Sequence, residues 1–213
     1  MVAAKICGLA SAEAVAAAVD GGAAYMGFVF YPSSPRSVTP QAAATLCAAV
    51  PAGVARVGLF VDADDKAIAA VLNLVSLDIL QFHGCESGER VAQARSRFGL
   101  RVMKAVAIAD VGDVSIAAKY EDAADFLLFD AKPPRRPDAL PGGNGLAFDW
   151  RLIAGRSWRR PWMLSGGLTA ELLPEAVRIS GAAMVDVSSG VESRPGQKDP
   201  GRISAFLAAA RTL

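Results

Sequence analysis

Residues 55–82 read ARVGLFVDADDKAIAAVLNLVSLDILQF, and this stretch decides the fold. Ala55 to Phe60 and Asp78 to Phe82 are short, β-rich apolar runs. Between them Ile68, Val71, Leu72 and Val75 fall at i, i+3, i+4 and i+7, which puts four apolar side chains on one stripe of a helix facing a sheet. Strand, amphipathic helix and strand in that order predict a parallel pair joined by a helical crossover.

The same alternation extends outward from this unit, with a spacing of roughly 25 residues. The other runs are Ala3 to Cys7, Ala24 to Phe30, Arg101 to Val106, Phe126 to Phe129, Trp162 to Leu164 and Met184 to Val187, making eight in all. Helix start signals lie between them. Ser11 precedes Val15 and Val19, Thr39-Pro40 precedes Leu46 and Val50, and Asp199-Pro200 precedes Ile203, Phe206, Leu207 and Ala210. Eight β/α units without a composition break predict a single (β/α)8 TIM barrel spanning residues 1–213 as one domain. An open, doubly wound sheet is the alternative. In a barrel the special residues follow the strands and converge on one opening, and that is their distribution here.

Composition excludes several classes. Hydrophobic residues make up 53% of the chain and charged residues 20%, which is incompatible with disorder and fits strands buried on both faces. Lys+Arg 22 against Asp+Glu 21 gives a net charge of +1, too balanced for a nucleic-acid partner. No apolar run is long enough for a membrane span, and the first 15 residues lack a leader pattern. Cys7, Cys47 and Cys85 are odd in number and widely spaced, which suits neither a disulfide framework nor a metal site. A reducing cytoplasm is the expected compartment.

The strand ends carry the chemistry. Period-2 alternation puts Lys5 and Cys7 on one face of the first strand and Ile6 on the other. A thiol beside an ammonium is a candidate base or nucleophile, although a free cysteine also serves as a small buried hydrophobe. After the second strand, a Pro-bracketed loop presents Arg36, which could grip a carboxylate through two parallel hydrogen bonds. Gln81 and His83, the only histidine, share a face at the end of the fourth strand; His83 is equally well read as structural or catalytic. Asp130 ends the sixth strand and opens an irregular segment, about Ala131 to Ala147, with four prolines; a turn role competes with an acid or base role. Finally, three small-residue turns follow the last three strands: Gly142-Gly143-Asn144-Gly145, Ser165-Gly166-Gly167 and Ser188-Ser189-Gly190. Their exposed N–H groups make candidate anion nests in the quadrant where barrels commonly hold phosphate.

These motifs together resemble the phosphoribosylanthranilate isomerases of tryptophan biosynthesis. The likeness runs through Lys5-Ile6-Cys7-Gly8, Gly27-Phe28-Val29-Phe30 with Ser34-Pro35-Arg36, Gln81-Phe82-His83-Gly84 and Phe129-Asp130. It continues through Pro141 to Gly145, Phe148-Asp149-Trp150, Leu164 to Leu168, and Asp186 to Glu192. The resemblance implies a (β/α)8 barrel that converts N-(5-phosphoribosyl)anthranilate into 1-(2-carboxyphenylamino)-1-deoxy-D-ribulose 5-phosphate by an Amadori rearrangement, with no cofactor and no metal. It implies Cys7 as general base, Asp130 as general acid and Arg36 as the holder of the anthranilate carboxylate. Phosphate would sit on Gly143, Asn144, Gly145, Gly166, Gly167, Ser189 and Gly190, with Lys5, Gln81, His83 and Asp186 in support. Many members carry Thr where this chain has Asn144, which removes a hydroxyl and leaves the backbone N–H groups in place. The expected partner is a small phosphosugar, and the protein is expected as a monomer or homodimer. The related isomerase of histidine biosynthesis, which uses two aspartates, and a non-catalytic phosphate-binding barrel are the rival readings; Cys7 argues against the first.

The chemistry calls for the same residue types without the name. An acid at the furanose oxygen opens the ring to an iminium, and a base then takes the C2 proton to give an enolamine that tautomerises to the ketose. Asp130 must therefore hold a proton when it acts. Cys7 must lose one, with Lys5 or a helix N-terminus expected to lower its pKa.

Overall fold

The computed structural model describes residues 1–134 and 140–213. Residues 135–139, within the irregular segment expected after Asp130, lie outside the described residues. Eight parallel strands close a barrel in chain order. They are β1 (Ala3–Cys7), β2 (Tyr25–Val29), β3 (Ala55–Phe60), β4 (Ile79–Phe82), β5 (Arg101–Ile108), β6 (Phe126–Ala131), β7 (Trp162–Leu164) and β8 (Met184–Val187). Closure is made by β8 pairing with β1, where Lys5 stands level with Asp186. The eight apolar runs of the sequence are these eight strands, to within one or two residues at most ends.

Alternation divides the side chains into two shells. Ile6, Phe28, Phe60, Phe82, Phe129 and Val185 point outward into the main core, where helix residues such as Ala14, Ile68, Val91 and Phe206 cover them. Each fully buried Phe contributes roughly 1.5–3 kcal/mol of transfer free energy. Inside the barrel, Val57, Ile79, Met103, Phe126, Leu128 and Met163 form a separate apolar plug. Lys5, Gln81, Asp130, Ser165 and Asp186 are also buried, yet they belong to neither cluster. The polar strand residues are thus collected above an apolar floor.

Among the described residues six α-helices occupy crossovers, α1 (Ala12–Asp20), α2 (Pro40–Ala48), α3 (Asp65–Leu72), α4 (Gly88–Phe98), α5 (Val111–Ala117) and α6 (Leu173–Ser180), and a seventh, α7 (Pro200–Arg211), follows β8. Ser11, Thr39 and Asp199 cap α1, α2 and α7 as expected, each accepting a hydrogen bond from the first-turn backbone. Of the stripe that opened the sequence reading, Ile68 and Val71 are buried, and Val75 is buried just beyond the end of α3.

One expectation is corrected. No α-helix occupies the β6–β7 crossover among the described residues; a short 3-10 turn at Trp150–Leu152 is its only helical element. Pro133, Pro134, Pro141, Gly142, Gly143 and Gly145 explain this, because proline removes helical donors and glycine disfavours helix entropically. Residues 140–146 of this segment line the barrel mouth instead. No helix among the described residues is long and apolar enough to cross a membrane.

Candidate active site

A cleft of about 740 Å³, open to solvent, occupies the barrel mouth at the C-terminal ends of the strands. That is within the size range of small-molecule sites. Cys7, Arg36, His83, Asp130 and Asp186 all line it, as do the turns containing Gly143 to Gly145, Gly166 to Gly167 and Ser189 to Gly190. Lys5 and Gln81 lie beneath the rim, fully buried, and reach the cleft only through the residues they touch.

β1 places Cys7 beside Gly27 of β2, and the absence of a side chain there makes room. A Cβ at Gly27 would come within 3.0 Å of Cys7 Sγ and 3.1 Å of Lys5 Nζ. The thiol does not behave as the sequence suggested. Burial pushes it above its ordinary value, and the opposing pull of Lys5 is not sufficient to lower it. The reason is the partner of Lys5, whose Nζ donates to Asp186 Oδ1 at 2.8 Å. Burial works against the Lys5 charge, but Asp186 and then Cys7 hold it above the ordinary lysine value. Ser165 Oγ donates to the other Asp186 oxygen at 3.0 Å, so this carboxylate is engaged on both sides.

Asp130, at the end of β6, accepts at Oδ1 from the Ala131 N–H at 2.8 Å. Its Oδ2 lies 3.2 Å from His83 Nε2, and His83 Nδ1 lies 2.9 Å from Gln81 Nε2. Residues from β4 and β6 thus form a short chain of polar contacts ending at the mouth.

Arg36 is buried rather than solvated, and its grip differs from the expectation of a guanidinium fork left open for a ligand. Nε and Nη2 donate to the two oxygens of Glu192 at 2.7 and 2.9 Å, and Nη2 also donates to the Gly143 carbonyl at 3.0 Å. The bidentate edge is occupied, which leaves Nη1 on the cleft side. Glu192 also accepts from Lys198 Nζ at 2.6 Å, and Lys198 further donates to the carbonyl and hydroxyl of Ser188. Burial works against ionisation of Glu192, but Arg36 and Lys198 together bring its carboxyl below the ordinary value. Burial lowers Lys198 despite Glu192. Sequence reasoning did not single out Glu192 or Lys198 as site residues. They lie on a small hairpin after β8, and the Arg36–Glu192 contact spans 156 residues, so no local spacing announces it.

The three glycine turns meet. Gly145 approaches Ser189 Oγ, Gly167 packs on Leu146 and Ala147, and Gly190 packs on Leu168. Among the described residues, the N–H groups of Gly143, Asn144, Gly145, Gly166 and Gly167 have no hydrogen-bond acceptor within the protein. Several free donors in one concavity suit an anion with several oxygens. The Asn144 side chain is used within its own loop, donating to the Leu140 carbonyl at 2.7 Å.

A sequence profile described as N-(5'phosphoribosyl)anthranilate (PRA) isomerase matches residues 4–209. The N-(5'-phosphoribosyl)anthranilate isomerase of Rhodospirillum centenum is 59% identical over 209 residues, covering 98% of both chains. The crystal structure of phosphoribosyl anthranilate isomerase from Thermotoga maritima superposes with a TM-score of 0.89 at 37% identity, covering both chains fully. A phosphoribosyl anthranilate isomerase crystallised with reduced 1-(o-carboxyphenylamino)-1-deoxyribulose 5-phosphate gives a TM-score of 0.85 at 35% identity, again with full coverage of both chains.

Proposed function

The chain belongs to the N-(5'-phosphoribosyl)anthranilate isomerase family, and we propose that it opens and rearranges its phosphosugar substrate between Cys7 and Asp130. The reaction is the isomerisation of N-(5'-phosphoribosyl)anthranilate in tryptophan biosynthesis. The observation that carries the mechanistic reading is the convergence of a thiol, a carboxyl, a guanidinium and free turn N–H groups on one mouth.

Asp130 gives a proton to the furanose oxygen, the ring opens, and the C1–nitrogen bond becomes an iminium. The cation acidifies the C2 proton, which passes to the Cys7 thiolate. The enolamine formed tautomerises to the ketose, giving 1-(2-carboxyphenylamino)-1-deoxy-D-ribulose 5-phosphate. Burial disfavours the thiolate in the empty site, and Lys5 opposes that effect from below. The positive iminium adds to the same field when it forms, so the base is strengthened at the stage that requires it. The phosphate sits on the N–H groups of the turns at Gly143–Gly145, Gly166–Gly167 and Ser189–Gly190, and Arg36 Nη1, beside Gly143, receives the anthranilate carboxylate. All these groups come from residues 1–213 acting as one domain, so the site is complete in a monomer and within each copy of a homodimer. Three free cysteines suit a reducing cytoplasm.

The decisive assay is loss of anthranilate-type fluorescence when purified protein is mixed with freshly prepared phosphoribosylanthranilate. Absence of turnover would reject the reading. The pH dependence is also fixed in sign. Because Cys7 is raised, its thiolate is the minor form at neutral pH and grows as pH rises. The thiolate should therefore grow by about tenfold per pH unit above neutrality up to the raised thiol pKa, read as the ultraviolet thiolate absorbance that wild type shows and Cys7→Ser lacks. The value of kcat/KM does not report it, because ring opening also needs a protonated acid, whose share falls as pH rises. A Cys7 thiolate already fully formed at pH 7 would overturn the raised thiol.

Replacing Arg36 by Ala should raise KM for the substrate by roughly 10–10²-fold, the loss of a hydrogen bond to a buried charge. Inhibition by ribose 5-phosphate, which lacks the carboxylate, should change much less. Equal losses for both ligands would mean that Arg36 serves the Gly143 loop alone.

A further inference from the structure

Asp130 does not stand alone at the mouth. His83 Nε2 faces its Oδ2, and the Gln81 amide nitrogen stands behind His83 at Nδ1. Gln81 is fully buried, and its Oε1 has no hydrogen-bond partner. Gly142 covers the pair with backbone only, since a Cβ there would lie 2.5 Å from His83 Nε2 and 2.8 Å from Asp130 Oδ2. Among the described residues, the other charged groups nearby are engaged elsewhere. Glu86 is paired with Lys104 at 2.9 Å, Asp62 accepts from the Cys85 N–H at 2.7 Å, Arg36 is held by Glu192 and Asp186 by Lys5. His83 therefore answers to Asp130 and Gln81.

The amide orientation determines the tautomer. An amide N–H can only donate, so Nδ1 accepts and the ring proton lies on Nε2, aimed at Asp130. Turning the amide over would instead leave its whole NH2 group buried without a partner, which is rarer than an unpartnered carbonyl. With the amide nitrogen against Nδ1, a second ring proton would set two donors face to face.

We propose that Gln81 is a positioning residue that holds His83 as its neutral Nε2–H tautomer, so that the acid proton at this contact stays on the Asp130 carboxyl rather than in an imidazolium–carboxylate pair. This rests on the reading of Asp130 as the general acid. Nε2–H occupies Oδ2, so the transferable proton belongs to Oδ1. When it passes to the furanose oxygen, the carboxylate left behind is already met by two N–H donors, from His83 and Ala131, and no proton moves on the ring. Gln81 touches no substrate; it acts through His83.

His83 is the only histidine, so its ring nitrogens can be read without ambiguity in 15N-labelled protein. At pH 7 the wild-type spectrum should show a single protonated nitrogen, Nε2. In Gln81→Leu the ring should become a mixture of tautomers. Turnover of this variant at pH 6 should fall about tenfold or more below wild type, with KM changed little. A wild-type ring protonated on Nδ1, or on both nitrogens, overturns the proposal. So does a Gln81→Leu enzyme whose ring state and kcat–pH profile match wild type. Asp130→Asn separates the two readings. If it keeps full turnover, the acid assignment fails whatever the ring shows. If it loses turnover while the wild-type ring is in another state, the role of Gln81 alone fails.

Discussion

Asp130→Asn is expected to turn over ~10²–10⁴-fold more slowly than wild type, with substrate binding largely kept. The substitution preserves shape and keeps one oxygen to accept from the Ala131 N–H, but its NH2 group then faces His83 Nε2, so that contact holds only if the ring presents a lone pair there. What disappears is the proton for the ring oxygen. The amide cannot supply it, and ring opening becomes the slow step. Single-turnover and steady-state rates measured together would check this. Turnover within a factor of a few of wild type would place the acid elsewhere.

Cys7→Ser should cost a similar factor, ~10²–10⁴, for the opposite step. The hydroxyl fits where the thiol sat beside Gly27, but it ionises far less readily, and burial that already raises the thiol would penalise an alkoxide further. Ring opening would still occur, so the C2 proton is where the reaction stalls. Substrate deuterated at C2 is the measurement that locates the block, because an isotope effect on turnover should appear or grow in the variant. If the variant keeps near-full turnover, Cys7 is core packing. His83 or Asp186 then becomes the candidate base, and each would first have to release its partners, Gln81 and Asp130 for His83, Lys5 and Ser165 for Asp186.

The strand runs and their order were legible because each is buried on both faces, and that double burial writes continuous apolar stretches such as Phe126 to Phe129. The inward set was legible too, since a strand period of two assigns Lys5, Cys7 and Gln81 to one side without knowledge of the neighbours. The partners of those side chains were not. Whether Lys5 serves the thiol or a carboxylate depends on Asp186, 181 residues away, and the sequence holds no signal for that pairing. The thiol shift was misjudged for the same reason, because the sign depends on burial against a cation whose charge is already balanced. Arg36 lines the cleft, but its geometry was not legible, since Glu192 takes its bidentate edge from across the barrel. The missing crossover helix was partly foretold by the prolines after Asp130, which the periodicity of the other seven units tempted the reading to override.

Four contacts that organise the mouth share one property: each joins the first half of the chain to the second. Lys5–Asp186, Arg36–Glu192, Arg36–Gly143 and His83–Asp130 span 181, 156, 107 and 47 residues. β1 to β4 carry the thiol and the guanidinium, while β5 to β8 carry the carboxyl and the glycine turns. Neither half-barrel can pre-form the chemistry, and a chain emerging during synthesis holds Lys5 and Arg36 without counter-ions until its last strand and hairpin arrive. Such distant pairings form slowly, because loop closure must precede any gain from contact. The closing of β8 onto β1, with the hairpin that follows it, thus completes the barrel and the active site together.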